Sequence, residues 1–465
     1  MSRVSLFRAL YFLAIFSFLA GLMSVVAQSP SQNVAATPPM GWNSWDAYGL
    51  TIDEAQFRDN VKVLASLKQY GWQYAVIDEG WYMQDPFADT TAKQKYLYDP
   101  NGLLLPVEAR FPSSANNAGF KPLSDWVHSL GLKFGIHVMR GIPKEVVEQN
   151  LPIAGSSFHA ADAADREATC PWNDANYGVA DNAAGQAYYD SMLKRYADWG
   201  VDYIKIDCIS DHPYRPTEIR QVAESIRKSG RPMVLSLSPG PTNLSHAEEV
   251  AKYANMWRIT DDHWDVWMDQ NKGKGSEFPF GLKEEFDRIA EWNKYVKPGS
   301  WPDADMLPEG YLGPHPGLGK ERQSRYTQDE QRTEFTLWAI SRSPLIFGGN
   351  LTKLDDFTKS LMTNKELVDL NQVNWASHPV LKLPSGFEQI RVWEGNREAF
   401  ANPPEFIALF NLDDKPSTLH FKWSDLVDLK RPNSAQDLFS ATKVDAQAPM
   451  TIVLPPHGSV VYRIQ

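Results

Sequence analysis

One phrase recurs along this chain and limits its fold more than any other feature: an apolar helical stripe, a closing glycine, a short strand rich in β-branched residues, and a polar strand end. Phe57, Val61, Leu64 and Leu67 form the first stripe, which stops at Tyr70-Gly71 and is followed by Tyr74-Ala75-Val76-Ile77 and then Asp78-Glu79. Leu123, Trp126, Val127 and Leu130 form the second, closed by Gly131 and followed by Lys133-Phe134-Gly135-Ile136-His137. Tyr189, Met192, Tyr196 and Trp199 repeat it before Gly200 and Tyr203-Ile204-Lys205-Ile206-Asp207-Cys208. Ile219, Val222, Ala223 and Ile226 repeat it again before Gly230 and Met233-Val234-Leu235-Ser236-Leu237. Glycine suits the left-handed residue that ends a helix, so each unit predicts a helix running into a buried strand. Successive units of this kind build either a doubly wound sheet or a closed barrel.

The strand count favours the barrel. Met40-Gly41-Trp42-Asn43-Ser44-Trp45 predicts a first strand, and Met256-Trp257-Arg258-Ile259-Thr260, the 301–307 segment and Pro344-Leu345-Ile346-Phe347 bring the total to eight. No G-x-G-x-x-G or P-loop follows the first strand, which excludes the usual dinucleotide and NTP folds. Thr51-Ile52-Asp53-Glu54 is expected to form a capping box opening the first helix. Past about Trp375 the texture changes to short alternating runs such as Gln389-Ile390-Arg391-Val392-Trp393 and Phe406-Ile407-Ala408-Leu409-Phe410, separated by Pro, Gly, Asn and Asp. The expected architecture is therefore α/β, a (β/α)8 TIM barrel over residues 28–375 followed by a C-terminal antiparallel β-sandwich over 376–465.

Residues 1–27 carry Arg3 and Arg8, then an apolar run ending in Val25-Val26-Ala27, the pattern of a cleavable secretory signal. Its removal near Ala27 would take the net charge from −11 to −13 and place the protein outside the cytoplasm, secreted or periplasmic. An acidic chain does not suit nucleic acid, and no later segment has the apolar length of a membrane span. The 16 Trp and 18 Tyr offer flat faces for sugar rings or simply fill a large core.

Chemistry collects at the predicted strand ends: Asp78 and Glu79, Lys205 and Asp207, Arg258 with Asp261 and Asp262, and Asp303 and Asp305, with Trp45, Trp81 and His137 nearby. The carboxyl ends of parallel barrel strands are where barrel enzymes act. Alternation puts Lys205 and Asp207 on one face and Ile204 and Ile206 on the other. A mixture of carboxylates and cations suits sugar hydroxyls, which both donate and accept, and glycoside cleavage needs two carboxyl groups. Any one of these acids alone reads as a turn or helix cap. Two other classes compete: a divalent-metal barrel enzyme, which the interspersed Lys205 and Arg258 disfavour, and a sugar-binding protein without catalysis.

Five stretches carry a resemblance that covers most of the chain. Thr37-Pro38-Pro39-Met40-Gly41-Trp42-Asn43-Ser44-Trp45 resembles the opening signature of the family-27 glycoside hydrolases, the α-galactosidase family. Ile77-Asp78-Glu79-Gly80-Trp81 resembles its second-strand motif, Tyr203 to Cys208 its nucleophile strand, Trp257-Arg258-Ile259-Thr260-Asp261-Asp262 its acid/base strand, and Pro302-Asp303-Ala304-Asp305-Met306-Leu307 its seventh-strand motif. The resemblance implies a retaining exo-glycosidase releasing terminal α-D-galactosyl residues from oligo- or polysaccharides without a cofactor or metal. Asp207 would be the nucleophile and Asp262 the acid/base, with Trp45, Asp78, Glu79, His137, Lys205, Ser238, Arg258 and Asp305 holding the sugar. Cys170 and Cys208 are expected to pair, tying the third-strand loop to the residue beside the nucleophile; two separate buried thiols are the alternative.

Three departures bear on the sugar. Glu79 stands where galactosidases usually have aspartate, His137 replaces the third-strand aromatic, and Ser236-Leu237-Ser238-Pro239-Gly240-Pro241 lacks the bulky residues that crowd the sugar's 2-position. A β-L-arabinopyranosidase is the first alternative on the same scaffold, since some members with that activity share the change at Glu79. An α-N-acetylgalactosaminidase, hinted at by the small Ser238, is the second.

Overall fold

Eight short strands, each buried on both faces, form the frame that positions everything else. They are β1 (Met40–Asn43), β2 (Tyr74–Ile77), β3 (Lys133–Met139), β4 (Tyr203–Asp207), β5 (Val234–Leu237), β6 (Met256–Arg258), β7 (Trp301–Asp303) and β8 (Leu345–Phe347). All neighbouring pairs are parallel, and β8 lies beside β1, so strand order follows chain order around a closed ring. The seam between β7 and β8 is completed just past β7, where the Leu307 N–H donates to the Ile346 carbonyl at 2.8 Å. The computed structural model describes residues 34–87, 94–269, 271, 278–313, 319–373, 376–396, 405–427 and 434–465. The proposed signal segment lies outside the described residues, and among those residues no helix is long and apolar enough to cross a membrane.

Strand alternation divides the core in two. Tyr74, Val76, Tyr203, Val234, Met256, Trp301 and Ile346 fill the barrel interior, while Ala75, Ile77, Ile204, Ile206, Leu235 and Trp257 face outward under the helices. The outer ring includes α1 (Glu54–Leu67), α2 (Lys121–Ser129), α3 (Ala183–Trp199), α4 (Pro216–Ser229), α5 (Ala247–Tyr253), α6 (Leu282–Trp292) and α7 (Gln328–Ser341). The stripes read from the sequence are the buried faces of α1, α2, α3 and α4. Gly200 ends α3 with φ 84°, the left-handed conformation expected of it. The first helix opens differently from expectation: Asp53, not Thr51, is the N-cap, accepting from the Gln56 N–H while the Gln56 side chain accepts from the Asp53 N–H. An aspartate cap with a glutamine three residues on satisfies the same orphan donors.

Behind the barrel lie β9 (Ala376–Pro379), β10 (Ile390–Asn396), β11 (Phe406–Asn411), β12 (Ser417–Phe421), β13 (Ser434–Asp437), β14 (Lys443–Asp445), β15 (Met450–Leu454) and β16 (Ser459–Ile464). Six form an antiparallel sheet in the order β9-β10-β11-β16-β13-β14, and β12 pairs with β15. Ile390, Val392, Ile407 and Leu409 of the larger sheet share one apolar core with Leu419, Phe421, Met450 and Leu454 of the smaller, which is a sandwich. Helix α7 is buried nearly all round because it lies between barrel and sandwich. Phe286 of α6 and Phe410 of β11 pack edge to face across the same junction, 5.0 Å apart.

Candidate active site

The carboxyl ends of the strands open into a cavity of about 380 Å³. Trp45, Asp78, Glu79, Lys205, Asp207, Ser238, Arg258, Asp262 and Asp305 all line it, drawn from six different strand ends. With Asp46 and Asp261 the wall holds seven carboxyl groups against Lys205 and Arg258. Such an excess of acid is tolerable only if some groups keep their protons and others are tightly paired.

Asp78 belongs to the paired class. Its carboxylate accepts from Asn43 Nδ2 at 2.7 Å, from Lys205 Nζ at 3.1 Å and from the Glu79 N–H at 2.8 Å. Burial alone would raise it, but Lys205, His137 and these donors outweigh that and hold it at about 2. Asp207 ends β4 beside Lys205. Burial again opposes its charge, yet His137, Lys205 and the Cys208 N–H at 2.6 Å hold it below the ordinary carboxylate range. His137 does not line the cavity; it stands behind Asp207 with Nε2 3.3 Å from Oδ2. Its carbonyl accepts from Trp81 Nε1 at 2.7 Å, which fixes the strand at that point.

The opposite wall behaves differently. Arg258 Nη2 lies 2.8 Å from Asp305 and 3.1 Å from Asp262, so one guanidinium serves two acids. For Asp262 burial dominates, and with Asp305 and Asp261 adding negative charge it rises to about 6 despite Arg258. Asp261 also lines the cavity, but its Oδ1 turns back to accept from the Asp262 N–H at 2.7 Å. Glu79 is raised to about 7, first by burial and then by Asp207 and Asp78, with His137 and Lys205 opposing. Three backbone positions at the site take the left-handed region without being glycine, Cys208 at φ 60°, His212 at φ 64° and Asp305 at φ 81°. Such conformations persist only where surrounding contacts hold them.

The sequence reading passed over several residues. Asp46 lines the cavity almost wholly buried, and burial followed by Asp305 pushes its carboxyl well above the ordinary carboxylate range. Asn173 donates to Glu79 at 3.2 Å and sits 3.4 Å from the Tyr96 hydroxyl. Trp172 lines the cavity 43% exposed, against ring edges of His212 at 5.4 Å. Trp172 and Asn173 sit in the loop that Cys170 ties to Cys208, since the two cysteines are joined as a disulfide. Nothing in local spacing announces these contacts, which come from a loop more than ninety residues from Glu79 in sequence. Among the described residues no group of three or more side chains is arranged to hold a metal ion.

The alpha galactosidase A family model matches residues 174–373, which include β4 through β8. A family-27 β-L-arabinopyranosidase from Geobacillus stearothermophilus is 39% identical, superposes with TM-score 0.85, and is matched over 94% of this chain and 98% of its own. The chain belongs to glycoside hydrolase family 27. This family-27 enzyme is also 28% identical to the alpha-galactosidase A of Cellvibrio japonicus, over 95% of this chain and 96% of that one. Alpha-galactosidase I of Mortierella vinacea superposes with TM-score 0.69 at 25% identity, over 93% of this chain and 98% of its own. The enzyme is therefore a glycoside hydrolase.

Proposed function

We propose that the enzyme removes a terminal galacto-configured sugar from oligo- or polysaccharides with retention, by double displacement at Asp207 and Asp262. One observation carries this reading: on one cavity, Asp207 is held below the ordinary carboxylate range while Asp262 is raised to about 6. Two carboxyl groups pushed in opposite directions can serve as nucleophile and acid at the same pH. The Asp207 carboxylate attacks the anomeric carbon as the glycosidic C–O bond breaks and Asp262 gives its proton to the leaving oxygen. Asp262, now a base, takes a proton from the water that displaces Asp207. His137 acts on Asp207 from behind, and Trp45, Asp78, Lys205, Arg258 and Asp305 hold the ring.

The first reading for the sugar is α-D-galactopyranose, the substrate named for the curated relatives. The second is β-L-arabinopyranose, which has the same ring and hydroxyl orientations but lacks the hydroxymethyl at C5. Glu79 favours it, because a glutamate on this wall extends about 1.5 Å further than aspartate, and the Geobacillus relative named for that sugar is 39% identical. A panel of aryl α-D-galactoside and β-L-arabinopyranoside, with NMR of the first-formed anomer, tests both parts. An inverted anomer refutes double displacement, and silence on both sugars refutes the substrate class.

The catalytic unit in this reading is residues 28–375, with 376–465 forming the β domain. Export through residues 1–27 is part of the proposal, supported by the disulfide, which persists in oxidising compartments. A mature protein beginning near Gln28 in the culture medium or periplasm is the expected result.

A further inference from the structure

The segment 261–269 carries Asp262 out of β6, and its residues are tied down one after another. The Asp262 carbonyl accepts from the Phe280 N–H at 2.8 Å. His263 follows, fully buried, with its N–H on Asp305 at 2.9 Å, Nε2 2.7 Å from Glu334 and Nδ1 3.4 Å from Glu285. Both glutamates are fully buried, and so is Glu309, whose carboxyl is pushed well up by burial and then by Glu334. Asp265 is gripped by Arg322 and Arg325 at 2.5 and 2.8 Å. Trp267 then lies flat against a ring from the other domain: His457, with centroids 3.8 Å apart and planes 12° off parallel.

His457 sits in the turn between β15 and β16 of the sandwich, and its second contact lands on α7. Its Nδ1 is 2.7 Å from Glu330, its carbonyl accepts from Thr333 at 2.7 Å, and its Nε2 is 2.8 Å from Asp414. Glu330 and Glu334 are four residues apart, so they share one face of α7 a single turn from each other. One turn of one helix thus holds two histidines: His263, beside Asp262, and His457, from the sandwich. Glu330 is further fixed as the capping-box partner of Thr327, so the turn is anchored at the start of the helix.

We propose that the C-terminal β-sandwich is a working part of the catalytic centre: through His457, stacked on Trp267 and held by Glu330, it fixes the segment that carries Asp262. His457 and Trp267 are positioning residues, and what they position is the proton donor. The inference rests on Asp262 being the acid/base. A buried charged cluster at His263 cannot be probed cleanly, because removing one partner leaves uncompensated charge. His457 is partly exposed and offers a gentler test.

The test uses the full chain, with Asp262→Ala, His457→Ala, His457→Gln and Trp267→Leu assayed on aryl glycosides of good and poor leaving groups. Loss of proton donation hurts poor leaving groups selectively, whereas a general loss of folded enzyme lowers all substrates alike. His457→Ala and Trp267→Leu are expected to lower kcat/KM about tenfold for poor leaving groups and under about twofold for activated ones, a fraction of the effect of removing the acid itself. His457→Gln, which keeps a donor toward Glu330, is expected to recover part of the loss. If His457→Ala does not fold, Trp267→Leu decides alone. Equal losses on all leaving groups, or no loss, overturn the proposal. If Asp262→Ala itself shows no leaving-group dependence, the assignment of the acid/base fails instead.

Discussion

His137 lies behind Asp207, its Nε2 3.3 Å from the carboxylate, and each makes the other's charge easier to bear. Burial works against both, yet His137 is raised above its ordinary 6.5 by Asp78 and Asp207 while Asp207 is lowered below 3.8. The pH dependence follows. In the proposed double displacement Asp207 must be ionised, so the acid limb of kcat/KM should lie below the ordinary carboxylate range; Asp262 must be protonated, so the alkaline limb should fall near pH 6. His137→Leu removes the donor and the positive charge, and should move the acid limb upward by about one unit or more. A pH–rate profile of parent and variant checks it; an unmoved acid limb would mean His137 does not act on Asp207.

Asp262 and Asp261 separate by leaving group. Asp262 shares Arg258 with Asp305, while Asp261 spends Oδ1 on the Asp262 N–H. Asp262→Ala should cost about 10² to 10⁴ in kcat on poor leaving groups and little on dinitrophenyl glycosides. Asp261→Ala should lack that selectivity, and the reverse pattern would exchange the two assignments.

These pairings mark how far the sequence alone reaches. Eight strands, their order and nine of the cavity-lining residues follow from periodicity, glycine caps and polar strand ends, because a barrel gathers its strand ends at one rim. His137 is legible at its strand end, in register with Lys205, but its contact with Asp207 depends on how neighbouring strand ends pack. Asn173, Trp172 and His457 were out of reach for another reason: long loops and a second domain deliver them, and no local period encodes a contact between Glu330 and His457. Asp46 escapes notice because its burial becomes visible only once the fold is known.

The disulfide gives a stability prediction. It joins residues 38 apart and ties the loop bearing Trp172 and Asn173 to the residue after Asp207. Loops of that size correspond to stabilisation on the order of 2 to 4 kcal/mol. A Cys170→Ala/Cys208→Ala variant should melt several degrees lower and bind substrate more weakly, with KM affected more than the Tm shift alone explains. An unchanged KM would show that the loop is held without the bridge.

Stability should also depend on pH in a distinctive way. Asp78 has its folded value depressed to about 2, so its contribution of about 2 kcal/mol is present above pH 4 and lost as pH falls toward 2. Asp303 and Glu79, both near 7, and Asp262, near 6, are raised mainly by burial; their contribution is present below the ordinary carboxylate range and lost as pH rises through 6 to 7. The free enzyme should therefore be most stable in mild acid, near pH 4 to 5. Thermal unfolding across pH checks this, and Asp303→Asn, which keeps an acceptor for the Asp305 N–H, should reduce the alkaline loss.

The last prediction concerns Glu79, where the choice between galactose and arabinopyranose should be read. Glu79 lines the cavity beside Asp78 and is anchored at its far end, where Oε1 accepts from Asn173 at 3.2 Å. That anchor stops the longer side chain from folding away, so its extra reach, about one C–C bond, is imposed on the pocket. Shortening it in Glu79→Asp should open room for the C5 hydroxymethyl and shift the kcat/KM ratio toward the galactoside, by about tenfold for roughly one methylene of fit. Asn173→Ala frees the glutamate without shortening it, and should shift the ratio the same way by less. If Glu79→Asp leaves the ratio unchanged, Glu79 does not sense C5. If the parent prefers the arabinopyranoside and Glu79→Asp reverses that, arabinopyranose becomes the natural substrate of this site.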